Sequence, residues 1–202
     1  MANSFANSKY LMKNLFIITA PSGSGKSTLC KEILKRENKI QLSVSHTSRK
    51  MRPDEKNGVD YFFVTKEEFL YGIENDDYIE WDFHFDYYYG TSKSQIQESI
   101  DNKTPLLLEL DVKGAVSIQK LFPNMTTSIF VEPPNLNELI QRLEKRGSDT
   151  QEEIEKRLQR IELELSYKSN FDFSIVNDKL EDATNKIIEI IQNEIKGVLN
   201  VT

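Results

Sequence analysis

The chain of 202 residues has one cysteine, one tryptophan and two histidines. Cys30 has no partner for an internal disulfide, which fits a reducing compartment, and the expected location is the cytoplasm. With only Cys30, His46 and His84 as soft ligands, a structural zinc site is not expected. No apolar run approaches the length needed to cross a bilayer. Met1 to Lys13 lacks the basic start, apolar middle and small-residue cleavage site of a signal peptide, so it is expected to be a flexible leader. Positive charge is also short: 26 Lys and Arg face 32 Asp and Glu, a net charge of −6. That balance argues against nucleic acid as the main partner, and any basic site has to be local. Neither an internal repeat nor a low-complexity segment is present, and the length suits one domain with inserted subdomains.

What the chain does have is concentrated in Ala20-Pro21-Ser22-Gly23-Ser24-Gly25-Lys26-Ser27-Thr28. An apolar run, Leu15 to Ile18, precedes it and reads as a buried strand. Leu29, Cys30, Ile33 and Leu34 follow at helical spacing. Strand, glycine-rich turn and helix is the setting of a P-loop, in which backbone N–H groups close around phosphate oxygens at a helix start. The strict pattern begins with glycine, and Ala20 stands there as a small substitute. Lys26 is expected to reach the β- and γ-phosphates of a nucleoside triphosphate, and Ser27 to place its hydroxyl on Mg²⁺. Cys30, on the helix that follows, is expected to pack rather than react.

Further along, Leu42 to Ser45 alternates like a short strand. The loop from Ser45 to Pro53 combines hydroxyls with Arg49 and Arg52, a composition that suits a phosphate, although a solvated basic loop has the same look. Tyr61 to Val64 is a strand signal, and Thr65 with Glu68 forms a capping-box pattern. Tyr78 to Phe85 is rich in β-formers, and Tyr87 to Thr91 is dense in aromatics, which most often means core. Glu80 sits between Ile79 and Trp81 and needs a partner if buried. Pro105 to Asp111 reads as a central parallel strand ending in an acid, and Asp111 is thereby aimed at the P-loop side. Val112 opens a helix, and Ser128 to Val131 is another buried strand, stopped by Pro133-Pro134. Asn135 with Glu138, and Thr150 with Glu153, mark two helix starts. Arg142 and Arg146 share one face of the first, and Arg157 and Arg160 one face of the second. Phe173 to Val176 is the last strand, and from Leu180 an apolar stripe marks the final helix. Strands alternating with helices imply an α/β fold around a mainly parallel sheet.

This order of motifs resembles the guanylate kinases over nearly the whole chain. The residues that carry the resemblance are the P-loop, Ser43-Val44-Ser45-His46-Thr47-Ser48-Arg49 with Arg52, Glu55, Asn57-Gly58 and Asp60-Tyr61, then Ile79-Glu80-Trp81, Tyr89-Gly90-Thr91, Asp111 with Gly114, and Pro133-Pro134. Arg142, Arg146-Gly147, Lys156-Arg157-Leu158 and Ile175-Val176-Asn177-Asp178 complete the set. The resemblance implies transfer of the ATP γ-phosphoryl to GMP, and to dGMP, with Mg²⁺ as cofactor. It implies a three-layer P-loop fold: a leader (1–13), core segments (14–44, 95–133 and 166–202), an inserted mixed α/β GMP-binding subdomain (45–94) and a helical lid (134–165). By the same resemblance Ser45, Arg49, Arg52, Tyr61 and Tyr89 hold the GMP phosphate, with Glu55 in the same substrate set. Glu80 and Thr91 read the guanine, Asp111 lies near the guanine and the metal–phosphate region, and Asn177 lies near the ATP adenine. Lys26, Arg49, Arg142, Arg146 and Arg157 are the expected catalytic cations, and residues 20–28 cradle the triphosphate. Lys113, Ile161 and His46 depart from residues common in the family. Two other readings share the fold: a kinase of another nucleotide-like acceptor, and a catalytically silent binding module. ATP and GMP are the expected partners, without nucleic acid or membrane, and self-association as a homo-oligomer is left open.

Overall fold

The computed structural model describes residues 13–21, 23–84, 86–135, 139 and 151–197, without the side chains of 151–157 and 159. β1 (Leu15–Thr19) leads into α1 (Lys26–Arg36) and β2 (Gln41–Ser43). β7 (Leu106–Glu109), α4 (Val112–Leu121), β8 (Thr126–Glu132), α5 (Gln151–Ser166), β9 (Phe173–Val176) and α6 (Leu180–Ile195) complete this part. The five strands lie in the order β2-β7-β1-β8-β9, and their pairings are parallel.

β1 is buried along its whole length because both sheet faces are covered. Alternation then sorts its side chains. Phe16 and Ile18 pack with Leu29, Cys30 and Ile33 of α1 and with Ala183, Ile187 and Ile191 of α6. Leu15 and Ile17 pack on the opposite face with Ala115 and Ile118 of α4 and with Ile96. Each fully buried Leu or Ile contributes about 1.5–3 kcal/mol. Cys30 is part of the packed core, as expected, and burial together with the Glu109 charge pushes its thiol well up, away from reactivity.

Between β2 and β7 the chain builds a second sheet from β3 (His46–Thr47), β4 (Phe62–Phe63), β5 (Tyr78–His84) and β6 (Tyr87–Ser92), in the order β4-β3-β6-β5. α2 (Lys66–Glu74) packs beside it, and α3 (Lys93–Asn102) leads back to the core. α2 starts with the predicted capping box: the Thr65 hydroxyl accepts from the Glu68 N–H, and the Glu68 carboxylate accepts from the Thr65 N–H at 2.7 Å. Several strand ends shift from the sequence reading. The segment read as one strand, Leu42 to Ser45, stops at Ser43, and β3 begins separately in the other sheet. Not every aromatic is core: Trp81 and Phe83 face outward from β5 at 47% and 48% exposure, because alternation turns them away from Glu80 and Asp82. Of the expected helix that starts at Asn135, Glu138, Arg142, Arg146 and Gly147 lie outside the described residues.

Candidate functional site

Parallel strands leave their carboxyl ends at one edge of the sheet, and the loops from β1 and β7 meet there. Gly25 caps α1 with a φ of 84°, a left-handed conformation that favours glycine. A Cβ at Gly25 would come within 2.8 Å of the Asn177 Nδ2. Gly25 has no side chain with which to cap α1, which leaves first-turn N–H groups for the mouth of the loop. Asn177 is buried and donates from Nδ2 to the Ser24 carbonyl at 2.8 Å. It braces the P-loop backbone from the end of β9.

Lys26 projects from the loop and donates from Nζ to the Leu110 carbonyl at 2.6 Å. The Ser27 hydroxyl donates to the Glu109 carboxylate at 2.5 Å. Glu109 was not singled out in the sequence. The signal for it was its place at the end of the apolar run Leu106 to Leu108, which marks a strand end facing the loop. The neighbouring acid, Asp111, is not the last residue of the strand. It is the N-cap of α4, accepting from the Gly114 N–H at 2.8 Å.

Two cavities join at this edge. One, of about 270 Å³, is lined by Ala20, Pro21, Gly23 and Gly25 to Thr28, with Glu109, Arg160 and Glu164 opposite. Ser22 lies outside the described residues, as does the side chain of Arg157, whose backbone is within α5. The other cavity, of about 250 Å³, lies between the two sheets. Its lining brings together Lys26, Ser45, Arg49, Arg52, Tyr61 and Tyr89 with Glu80, Asp82 and Asp111. Tyr61, His84, Glu109, Asp111 and Lys26 line both spaces. A larger cavity, of about 730 Å³, sits elsewhere, beside His46 and Gln95, and contains none of the predicted site residues. His46 is stacked there on Phe62.

The basic wall is organised by Glu55. It accepts two hydrogen bonds from Arg49, at 2.7 and 3.0 Å, and a third from the Arg52 N–H at 2.8 Å. Arg49 also lies over the rings of Tyr61 and Phe63, with 5.5 and 5.6 Å to the centroids. Burial opposes both charges of the pair, but each partner holds the other ionised: Arg49 is shifted up and Glu55 down. Glu55 thus holds Arg49 in register for an anion instead of pointing into the cavity itself. Tyr61 is pushed up by burial and by Glu109, so its phenol stays protonated and able to donate.

The acidic part of the lining comes mainly from β5, paired with β6. A register shift between Tyr78 and Glu80 sets the alternation that turns Glu80 inward, directly across from Thr91. The Thr91 hydroxyl donates to the Glu80 carboxylate in a short hydrogen bond. A Cβ on Gly114 would lie 2.6 Å from the Glu80 Oε2, so glycine lets the carboxylate pack against α4. Burial pushes Glu80 up to about 7, opposed by the Thr91 bond and assisted by the Asp111 charge. The ordinary carboxyl value is 4.5, so its stabilising contribution is full below 4.5 and is lost as pH rises through about 7. Glu80→Gln is therefore expected to be more stable than the parent above pH 7, by on the order of 1–3 kcal/mol. Thermal melts at pH 5 and pH 8 check this, and an equal pH slope in both proteins would refute it.

A buried carboxylate bonded to a hydroxyl thus lies in the same cavity lining as arginines and tyrosines, next to the P-loop. The family model described as guanylate kinase matches residues 12–194. The chain belongs to the guanylate kinase family. A guanylate kinase of Pseudoalteromonas translucida is 45% identical over 88% of this chain and 86% of its own length. One from Fusobacterium nucleatum is 44% identical over 90% of this chain and 97% of its own. Among solved structures, a guanylate kinase from Anaplasma phagocytophilum superimposes with a TM-score of 0.77 at 30% identity, covering 91% of this chain and 86% of that one. The protein is thus a nucleoside monophosphate kinase by family, on the three-layer P-loop fold that its motifs predicted. No helix among the described residues is long and apolar enough to cross a membrane.

Proposed function

We propose that this guanylate kinase family member transfers the γ-phosphoryl group of ATP to GMP, giving ADP and GDP. The observation that carries this reading is Glu80, bonded to the buried Thr91, in a cavity that Arg49, Arg52, Tyr61 and Tyr89 also line. An ionised Glu80 accepts from guanine N1–H and the exocyclic amine together, and the Thr91 hydroxyl turns from Glu80 to donate to O6. Adenine presents no such donor pair, so AMP would leave a buried carboxylate unsatisfied. The reading extends to dGMP, because the residues named here address the base and the phosphate and not the ribose.

An oxygen of the GMP phosphate attacks the γ-phosphorus as the bond from that phosphorus to the β–γ bridging oxygen breaks, and ADP leaves with that oxygen. Positioning and charge neutralisation do most of this work. Lys26 leaves the Leu110 carbonyl for the triphosphate, and the α1 N-terminus takes the β-phosphate. Arg49 and Arg52 hold the acceptor phosphate in line. Arg142, Arg146 and Arg157 belong to the same reading as lid cations that close over the transferring group and exclude water. The Ser27 hydroxyl and the Glu109 carboxylate are adjacent hard oxygen donors, which suit Mg²⁺, and these two residues would hold it. When bound, it neutralises charge on the β- and γ-phosphates.

The test is a coupled ADP-release assay with ATP and Mg²⁺, comparing GMP, dGMP, AMP, UMP and no acceptor. Turnover confined to guanine nucleotides is the expected result. Turnover with another acceptor overturns the substrate, and none with any acceptor despite ATP binding favours a silent binding module. Within that assay, Arg49→Ala should raise the KM for GMP and lower kcat/KM by about 10²–10³-fold, because a bidentate phosphate contact is lost. ATP affinity, read by calorimetry, should stay within about threefold of the parent. Equal loss for both nucleotides would remove Arg49 from the acceptor site.

A further inference from the structure

At the seam between the two cavities, β5 places Asp82 and His84 two residues apart on the same inward face as Glu80. Asp111, the N-cap of α4, meets them from the core. One carboxylate oxygen of each aspartate and one imidazole nitrogen of His84 lie within 4.8 Å of one another. We propose that Asp82, His84 and Asp111 form a binding site for a transition-metal dication of the Zn²⁺ or Co²⁺ class, separate from the Ser27–Glu109 pair.

All three side chains are held in place. The His84 ring is stacked on Tyr89, with centroids 4.4 Å apart and planes 11° from parallel. The Asp82 Oδ2 lies 3.3 Å from the His84 Nδ1. Asp111 spends Oδ1 on the Gly114 N–H and keeps Oδ2 toward the seam. Two carboxylates and one imidazole select against Mg²⁺, which takes oxygen ligands, and for ions that accept nitrogen, of which zinc and cobalt are typical. Three protein ligands with a further position open is the arrangement of an accessible zinc centre. Both cavities open onto this point, so water or a phosphate oxygen has access to that position. Ligand atoms on a tetrahedral zinc ion lie about 3.3 Å apart, so the side chains close inward by roughly 1 Å on binding.

Arg160 of α5 marks the place of a cation. Its Nη2 lies 3.6 Å from the Asp111 Oδ2, a longer contact than the 2.9 Å between its Nε and the Glu164 carboxylate. A metal ion therefore competes with Arg160 for Asp111, while the Arg160–Glu164 pair persists. Removing that guanidinium should tighten metal binding.

The full-length protein, free of nucleotide, is titrated with Co²⁺ alone and then with Zn²⁺ as competitor. The visible absorption of Co²⁺ is followed there, and the imidazole NMR signals are followed in a separate titration with diamagnetic Zn²⁺ alone. The chain has two histidines, so the expected NMR result is a perturbed His84 and an unchanged His46. Asp82→Asn and His84→Gln should each weaken Co²⁺ binding by more than about tenfold, Arg160→Gln should strengthen it about fivefold, and Ser27→Ala should leave it unchanged. Circular dichroism confirms that each variant is folded. The wild-type NMR titration decides the matter without any variant. An unperturbed His84, binding that survives Asp82→Asn and His84→Gln, or binding lost in Ser27→Ala would each overturn the site.

Discussion

Glu80→Gln is expected to lower kcat/KM for GMP by about 10²–10⁴-fold while leaving ATP binding close to that of the parent. The carboxylate is inward, bonded to Thr91, and packed against Gly114. Only an ionised carboxylate offers two acceptors to the guanine N1–H and amine. The amide offers one acceptor and turns its N–H₂ toward another donor, which adds an unpaired buried group. Discrimination against AMP should fall at the same time, because an amide is less penalised than a charge when adenine fills the pocket. Steady-state kinetics with GMP and AMP read both effects. Unchanged GMP kinetics would remove Glu80 from base recognition. The same substitution is expected to stabilise the ligand-free protein above pH 7, so a loss of activity through unfolding is separable from loss of recognition. A residue held with its pKa at about 7 in the free site, where a charge is disfavoured, is one the fold tolerates for the sake of binding.

Lys26→Met should lower kcat by about 10³-fold with little change in stability. The ammonium rests on the Leu110 carbonyl at 2.6 Å, beside the end of β7. That contact holds the side chain between the two cavities, from which a short swing reaches the triphosphate. Methionine keeps the length of the side chain and removes the charge. The freed carbonyl lies at the cavity wall, where water replaces the lost donor, so the stability change should stay within about 1.5 kcal/mol. Single-turnover measurement with saturating ATP and GMP reports the chemical step. A rate within tenfold of the parent would mean that Lys26 does not act on the transferring group.

Much of this was legible before any coordinates. The P-loop announced itself through Gly25-Lys26-Ser27 between an apolar run and a helical repeat, and the capping box at Thr65 and Glu68 formed as written. Cys30 was placed in the core by its helical spacing with Leu29 and Ile33, and is found there. Strand boundaries were less legible. The break after Ser43 arises because the chain leaves one sheet for another, which alternation within a few residues does not signal. Glu109 went unremarked beside Asp111, since both are acids at the end of one apolar run. Only the register of β7 against β1 decides which of them meets Ser27, 82 residues away. Glu55 entered the substrate set through the resemblance alone, and only the fold reveals its two bonds to Arg49.

By itself, then, the sequence determined the local chemistry: a phosphate-binding turn, helix starts and stops, the two-sided burial of β1, and an ordered set of motifs specific enough to place the family. These depend on residues within a turn or two of each other, where backbone sterics, capping bonds and periodicity act directly. The tertiary structure alone decided which distant groups face one another: Glu80 with Thr91 and Gly114, Asp82 and His84 with Asp111, Asn177 with the Ser24 carbonyl. Those meetings are set by strand register, by the bulge before Glu80 and by the crossovers that bring parallel strands side by side, and each sums many weak packing terms spread along the chain.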